Sequence, residues 1–405
     1  MKASKIVALT AVAVASTAFA DVMDREGGIK LGSGQRITLR PYVSLSYTYD
    51  SNVDSSKHGQ SGSQWVVNPG LALTYKDDNW KVDGEVYYNY HAYNRYTSQL
   101  NQSSYGEKLR LVWVDAPVDE RGWTFRMDES FRQVAQDDDM SNSGGRGIGR
   151  DRKEFKLNGV LDRRINQYMH ATALAGYYLL DYDNDVSKYA PLFGWKRANA
   201  GAEIGYTMSK WTDIVVHGDY QWYWQDNNSG TGISDESRGY TVQAGLASYA
   251  TEKIEYRLLG GWSAFDYGNG THTIDGFTYQ GAARWKIDNT LELDVFGSSF
   301  FQPSEYNFGT ALKVSTLGLG LKKKFVCNLT GTVDLNYRNE SYEYSTAGAR
   351  YDTDIWTGRV GLSYKLNRFA YLFGRIECQS STTTRVAHSY DYDRVRGTVG
   401  VKLTY

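Results

Sequence analysis

Arg394-Val395-Arg396-Gly397-Thr398-Val399-Gly400-Val401-Lys402-Leu403-Thr404-Tyr405 is the stretch whose reading decides the fold. Successive side chains of a strand point to opposite faces. Val395, Gly397, Val399, Val401, Leu403 and Tyr405 therefore share one face, and Arg394, Arg396, Thr398, Lys402 and Thr404 the other. One face suits hydrocarbon and the other water, so no soluble core is needed behind the apolar half.

The same unit, roughly ten alternating residues and then a turn, recurs through the chain. It predicts strands over 37–49, 64–75, 80–93, 104–114, 123–134, 153–163, 168–180, 196–208, 212–225, 238–249, 254–265, 277–287, 290–301, 312–324, 329–341, 353–364, 369–380 and 392–405. The fold class expected is all-β, a transmembrane antiparallel up-and-down β-barrel of about 18 strands. Connections alternate in length, with tight ones such as Asp77-Asp78-Asn79 and Asp288-Asn289 between long ones such as 51–63, 135–152 and 226–237. Such alternation puts all tight turns at one end of the barrel. A soluble propeller or β-helix is the alternative source of similar short strands. Aromatic residues at both ends of the apolar stripes favour the membrane: Trp65 and Tyr75 bracket Val67, Leu71 and Leu73, and Trp80 and Tyr90 bracket Val82 and Val86.

Composition agrees. The 405 residues include 33 Tyr, 11 Trp and 41 Gly but only 5 Pro, which favours strands that can bend over ordinary domain punctuation. Mean hydropathy is negative. Beyond the N-terminus no apolar run approaches the roughly 20 residues of a spanning helix. Residues 1–20 read as a secretory leader, with Lys2 and Lys5, an apolar run from Ile6 to Val14, and the cleavage pattern Ala18-Phe19-Ala20. The alternative is a short buried helix. Residues 21–36 are expected to be a short N-terminal segment, and 37–405 the barrel. With 45 basic and 46 acidic residues the net charge is −1, which gives no support to nucleic-acid binding. Cys327 and Cys378 are expected to be unpaired, because the strand map puts them about 25 Å apart.

The leader, the amphipathic strands and the final Val399-Gly400-Val401-Lys402-Leu403-Thr404-Tyr405 resemble a Gram-negative outer-membrane porin, more particularly the putative β-barrel porin family. The resemblance implies an outer-membrane location with both termini and the tight turns in the periplasm. It implies outer-membrane lipid, the barrel-assembly machinery and small hydrophilic solutes as partners, with a homo-oligomer left open, and no cofactor. In that family a C-terminal aromatic, usually Phe, belongs to the assembly signal; Tyr405 occupies that place. The function implied is a channel for passive diffusion of small hydrophilic solutes; saccharides are candidates because aromatic residues share the lumen parity and sugar C–H faces stack on rings, not because of the resemblance. The alternative is a non-conducting structural or interaction barrel whose outer loops bind surface polysaccharide or protein.

The polar parity defines the expected lumen, with Arg40, Lys81, Asp83, Glu85, Lys108, Arg110, Arg126, Asp128, Arg132, Glu154, Lys156, Arg197, Glu203, Asp213, Asp219, Glu255, Arg257, Arg284, Lys286, Glu292, Asp294, Asp334, Arg338 and Arg359. Both signs are present, which predicts weak charge selectivity. The bland alternative is that these groups are ion pairs that keep the wall wet. The connection 135–152 carries Asp137, Asp138 and Asp139, then Arg146 and Arg150 among glycines, and is the expected inward-folding constriction or else an exterior loop. It lacks the spacing of a calcium loop. Tyr42, Tyr87, Tyr93, Tyr178, Tyr223, Phe296 and Phe300 share the lumen parity and could stack solutes or simply fill space. The six His residues show no metal-binding spacing, so no metal site and no enzyme are expected. His91 and His217, the latter beside Asp219, are the only positions suited to a rim hydrolase.

Overall fold

The computed structural model describes residues 28–31, 36–53, 59–94, 102–115, 122–134, 152–182, 193–209, 211–226, 234–248, 253–270, 272–304, 310–326, 328–343, 351–384 and 391–405. A short strand β1 (Ile29–Leu31) precedes β2 (Ile37–Asp50), β3 (Gly62–Lys76), β4 (Trp80–Tyr93), β5 (Gln102–Val114), β6 (Trp123–Val134), β7 (Arg152–Arg164), β8 (Met169–Tyr182) and β9 (Trp195–Ser209). There follow β10 (Thr212–Asp226), β11 (Ser234–Ser248), β12 (Ile254–Tyr267), β13 (His272–Lys286), β14 (Leu291–Pro303), β15 (Ala311–Lys324), β16 (Leu329–Glu343), β17 (Tyr351–Lys365), β18 (Ala370–Thr383) and β19 (Tyr392–Thr404). All eighteen strands expected from parity are present, with ends moved by a few residues.

From β2 onward each strand pairs antiparallel with its sequence neighbour, and β19 returns to β2 through Arg396↔Asp50 to Thr404↔Tyr42. The result is a closed 18-strand antiparallel barrel. No helix of the described residues is long and apolar enough to cross a membrane. Burial follows parity on the closing strand. Val395, Val399, Leu403 and Tyr405 are exposed on the outside, whereas Arg394 and Thr404 are buried within. Cys378 is a free thiol on the outer face, and Cys327 lies outside the described residues.

The strand β1 falls in the segment expected to be a simple lead-in. It pairs with Ile37 to Leu39 of β2, on the stretch that β19 leaves uncovered. Between the two, the Tyr405 amide donates to the Pro41 carbonyl at 3.1 Å. The edge of β2 is thus satisfied almost end to end, as a spanning strand requires. Aromatic pairs flank the apolar band, among them Tyr47 with Trp65, centroids 5.1 Å apart, and Phe369 with Tyr405 at 5.8 Å.

Several lumen rings face a glycine directly across the strand: Tyr42↔Gly70, Tyr87↔Gly106, Phe296↔Gly318 and Phe373↔Gly400. A Cβ on Gly70 would stand 2.3 Å from the Tyr42 Cζ, and one on Gly318 2.1 Å from that of Phe296. Each glycine is a niche that lets a ring lie along the wall, the arrangement by which aromatics compensate glycine in sheets.

One seam differs from all the others. β13 and β14 pair only from Lys286↔Glu292 to Gln280↔Ser298 and then part, although both strands continue toward the long-connection end. Beyond Ser298, β14 still pairs with β15, but its tip touches β12 and β11. Phe301 and Ala311, outward by parity, pack on the inward-facing Tyr223, Phe265, Tyr267 and Ile274. The tip of the β14–β15 hairpin therefore lies inside the barrel, against the inner surface of its own wall. On the exposed edge of β13, the Phe277 carbonyl accepts a hydrogen bond from Lys313 Nζ at 3.0 Å.

Candidate transport path

The lumen has two chemically different walls. On the first, Arg40, Ala72, Glu85, Lys108, Ser130, Lys156, Tyr178, Arg197 and Tyr223 are successive cross-strand partners from β2 to β10. Because strands in a barrel tilt and stagger, this row climbs. It starts near the tight-turn end at Arg40, the fourth residue of β2, and reaches Arg197, the third residue of β9, near the opposite end.

The carboxylates of this wall are already engaged. Glu85 accepts the Tyr42 hydroxyl at 2.8 Å, and Lys108 stands 3.9 Å away. Asp83 is 2.7 Å from Lys81. Asp128 binds Arg110 at 2.6 Å on one oxygen and Arg126 on the other. Glu154 accepts from Arg132 at 2.8 Å and Arg152 at 2.7 Å, with Lys156 more distant at 3.9 Å. Cations outnumber the acids that hold them.

On the second wall, Glu255, Arg284, Asp294, Gly320, Asp334, Arg359, Glu377, Arg396 and Asp50 are successive partners from β12 round to β2. Here sign alternates almost strand by strand. Arg284 Nε lies 2.8 Å from Asp294 and 3.3 Å from Glu292, and Arg359 is paired with Glu377. Asp50 closes the row, accepting from Arg394 Nε at 2.9 Å and Arg396 Nη2 at 3.0 Å. Charges so close and opposite largely cancel at the distance of a passing ion.

Between the walls stands the hairpin tip. Tyr223 is 1% exposed although it sits on the lumen face. Its hydroxyl is 3.4 Å from the Phe301 carbonyl, and Gln225 Nε2 donates to the Ser304 carbonyl. Beneath the tip, Gln243 donates to Thr278 at 3.1 Å, Ser263 meets Thr278 at 2.6 Å, and Gln280 donates to Gln243 at 2.9 Å. These polar groups are buried, so their mutual bonds replace those that lumen water would supply.

Arg40 reaches Thr74 at 3.2 Å, Arg338 lies 2.6 Å from Glu340, and Arg257 pairs with Glu203. Asp219 accepts Gln221 Nε2 at 2.6 Å, while Asp213, Glu255, Lys286 and Asp334 keep the lumen parity on their strands. His217 lies between Glu203 at 3.5 Å and Asp219 at 3.6 Å, and His91 is bonded to Gln64 at 2.9 Å. Neither is beside the other. Phe300 packs on Leu312, Val314 and Tyr342. Lys402 stands 4.3 Å over the Tyr42 ring, Lys108 5.9 Å over Tyr87, and Lys156 and Arg197 at 5.2 and 5.8 Å over Tyr178. Asp137, Asp138, Asp139, Arg146 and Arg150 lie outside the described residues. Among the described residues no three His, Cys, Asp or Glu side chains gather as a metal site.

Sequence parity had not singled out Asp50, Arg394 and Arg396 as a cluster, nor Arg152, Glu340, Arg375 and Glu377 as lumen groups. They carry the same parity signal, but their partners are set by register. Trp195, Phe265, Tyr267 and Phe301 were missed for a different reason, because no period distinguishes an aromatic under a folded-in hairpin from one facing lipid.

At the tight-turn end, Asp288 takes the Thr290 hydroxyl and the Thr290 and Leu291 amides, at 2.7, 2.6 and 2.8 Å. Those donors, the Thr290 hydroxyl first, lower its carboxyl pKa to about 2. The Asp78 amide and the Tyr75 hydroxyl lower that of Asp77 in the same way.

The fold is similar to that of known outer-membrane proteins. The ferric enterobactin receptor PfeA of Pseudomonas aeruginosa is 7% identical, with a TM-score of 0.44 over 94% of this chain and 81% of its own. Pseudomonas aeruginosa OpdK, solved with vanillate, is 12% identical, with a TM-score of 0.42 over 91% and 99%. The Neisseria meningitidis iron transporter FrpB is 9% identical, with a TM-score of 0.42 over 96% and 83%. No curated protein matches the chain. A family model described as "Putative beta-barrel porin 2" matches residues 129–405, more than half of the sequence. With the closed barrel and its charge-lined interior, the chain belongs to this family of outer-membrane β-barrel porins.

Proposed function

We propose that the barrel is a passive, non-enzymatic channel for small hydrophilic solutes, with both termini and the tight turns in the periplasm and the long connections outside. The observation that carries this reading is the lumen surface. Charged and amide side chains run along both walls between the aromatic residues, and many of the charges are paired locally. A wall of this kind offers water and solute a continuous polar surface at a low electrostatic barrier. The narrowing lies where the β14–β15 tip packs on Tyr223 and Phe265.

The buried tip is also the observation that favours a plugged interaction barrel. Planar-bilayer recording separates the two readings. The channel predicts stepwise currents from the purified, folded protein in potassium chloride, and a silent folded protein would overturn it.

A further inference from the structure

We propose that the gap between the free edge of β13 and the outward face of β15 binds a single-chain amphiphile with a carboxylate head, taken from the surrounding membrane. The site lies on the outer face of the barrel, so it stands whether or not the lumen conducts.

The strand ladder decides which backbone groups face the gap. The Lys286 amide donates to the Lys253 carbonyl on the β12 side. In an antiparallel strand the N–H and C=O of one residue turn to the same neighbour, and the side alternates along the chain. Even-numbered residues of β13 are therefore bonded to β12. Thr273, Asp275 and Phe277 turn their amides and carbonyls to the side that β14 abandons beyond Gln280↔Ser298. Lys313 Nζ meets the Phe277 carbonyl at 3.0 Å, which confirms the direction. It satisfies a carbonyl, not an amide. Among the described residues nothing accepts from the amides of Thr273, Asp275 and Phe277, and no carboxylate pairs with Lys313. The gap holds donors and lacks acceptors.

The surface round these donors is apolar. Phe277 and its cross-strand partner Trp262 are 59% and 57% exposed on the outer face. Rings in such positions mark the level where headgroups meet hydrocarbon. From Lys313 the outward face of β15 runs down through Leu317 and Leu319, both exposed, toward the tight-turn end. An unpaired backbone donor is costly at this depth, because lipid tails cannot accept its hydrogen bond. A carboxylate supplies what is missing, with one oxygen for the ammonium and one for the Phe277 amide. Its chain then lies along Leu317 and Leu319. The Asp275 carboxylate does not compete for the place, since it is engaged on the β12 side, where the Trp262 indole donates to it at 3.1 Å. Donors set in line along one strand edge suit one slender chain better than the two chains of a phospholipid.

The test uses the full-length barrel folded into phosphatidylcholine vesicles, with a diazirine-bearing stearate as photoprobe and the matching stearyl alcohol and phosphatidylglycerol probes as controls. Stearate adducts are expected to concentrate on peptides covering 272–286 and 311–324, and unlabelled oleate should displace them. Losing the charge-assisted contact in Lys313→Gln should raise the half-saturating concentration roughly tenfold. Lys313→Arg should keep most of the affinity, and Lys153→Gln, on the far wall, should leave it unchanged. Adducts spread evenly round the barrel, as annular lipid gives, overturn the site without any variant. Seam labelling unaltered in folded Lys313→Gln, or equally strong with the alcohol, overturns the anionic head. Equal seam labelling by the phosphatidylglycerol probe overturns the single chain. Heat-modifiable migration on gels identifies variants that fold.

Discussion

Gln225 on β10 and Ser304, the residue after β14, are 79 residues apart in sequence, yet the Gln225 amide donates to the Ser304 carbonyl at 2.5 Å. That bond fixes the hairpin tip to a wall it does not pair with as a strand. Tyr223, Phe265 and Phe301 hold the same junction by packing. Tyr223→Ala should cost about 3–5 kcal/mol of stability and release the tip. Single-channel conductance is expected to rise. An unchanged conductance from a folded variant would show that the tip does not set the bore.

Asp50 is 2% exposed and holds Arg394 and Arg396 across the β2–β19 closure. Asp50→Ala removes the buried carboxylate that both guanidinium groups share, at a cost of about 3–5 kcal/mol. The urea midpoint for loss of the folded gel band should fall accordingly. Removing the exposed Arg36–Asp77 pair, 2.9 Å apart at the tight-turn end, should leave that midpoint nearly unchanged.

Gly70 provides the niche for Tyr42. Gly70→Ala forces the ring inward and separates its hydroxyl from Glu85. Overpacking of this kind costs roughly 1–3 kcal/mol. The expected result is a smaller conductance, and the double variant Gly70→Ala, Tyr42→Ala should recover it.

The Asp288 carboxyl, lowered to about 2, gives the β13–β14 turn a defined pH response. A depressed carboxylate stabilises the folded form above its ordinary value of 3.8, and that contribution is lost as pH falls through about 2. Amide NMR shifts of Thr290 and Leu291 should therefore titrate near pH 2. A midpoint near 3.8 would contradict the hydrogen-bonded turn.

Tyr405 stacks on Phe369 with centroids 5.8 Å apart, and its amide is tied to Pro41. Tyr405→Phe should preserve the yield of folded outer-membrane protein. Tyr405→Ala should lower it severalfold, as read by the folded fraction in membrane extracts.

Much of this architecture is legible in the amino-acid sequence, because a period of two survives whatever the barrel's tilt. Trp80 to Tyr93 and Trp123 to Val134 are bounded where the alternation begins and stops. Pairing is not legible in the same way. Nothing local in Asp50 announces Arg394, which lies 344 residues away. The parting of β13 from β14 is hidden for a related reason. Phe300 and Phe301 keep the alternation intact while the surface facing Phe301 changes from lipid to the inner wall, and only the adjacent aromatics and Pro303 mark the change. Ile29 to Leu31 is too short to show any period.

The incomplete β13–β14 seam divides the barrel into two regimes. Where strands are bonded all the way round, strand number and stagger fix the diameter, and the wall is a hoop. Past Gln280 and Ser298 it is a scroll, with one margin lapped inside the other. A hoop can widen only by breaking a ladder of backbone bonds. A scroll can wind or unwind by sliding Phe301 over Tyr223 and Phe265, at the cost of those contacts and of the Gln225–Ser304 bond, with no ladder to break. The tight-turn mouth thus has a bore set by backbone geometry, and the other mouth has one set by three aromatic rings.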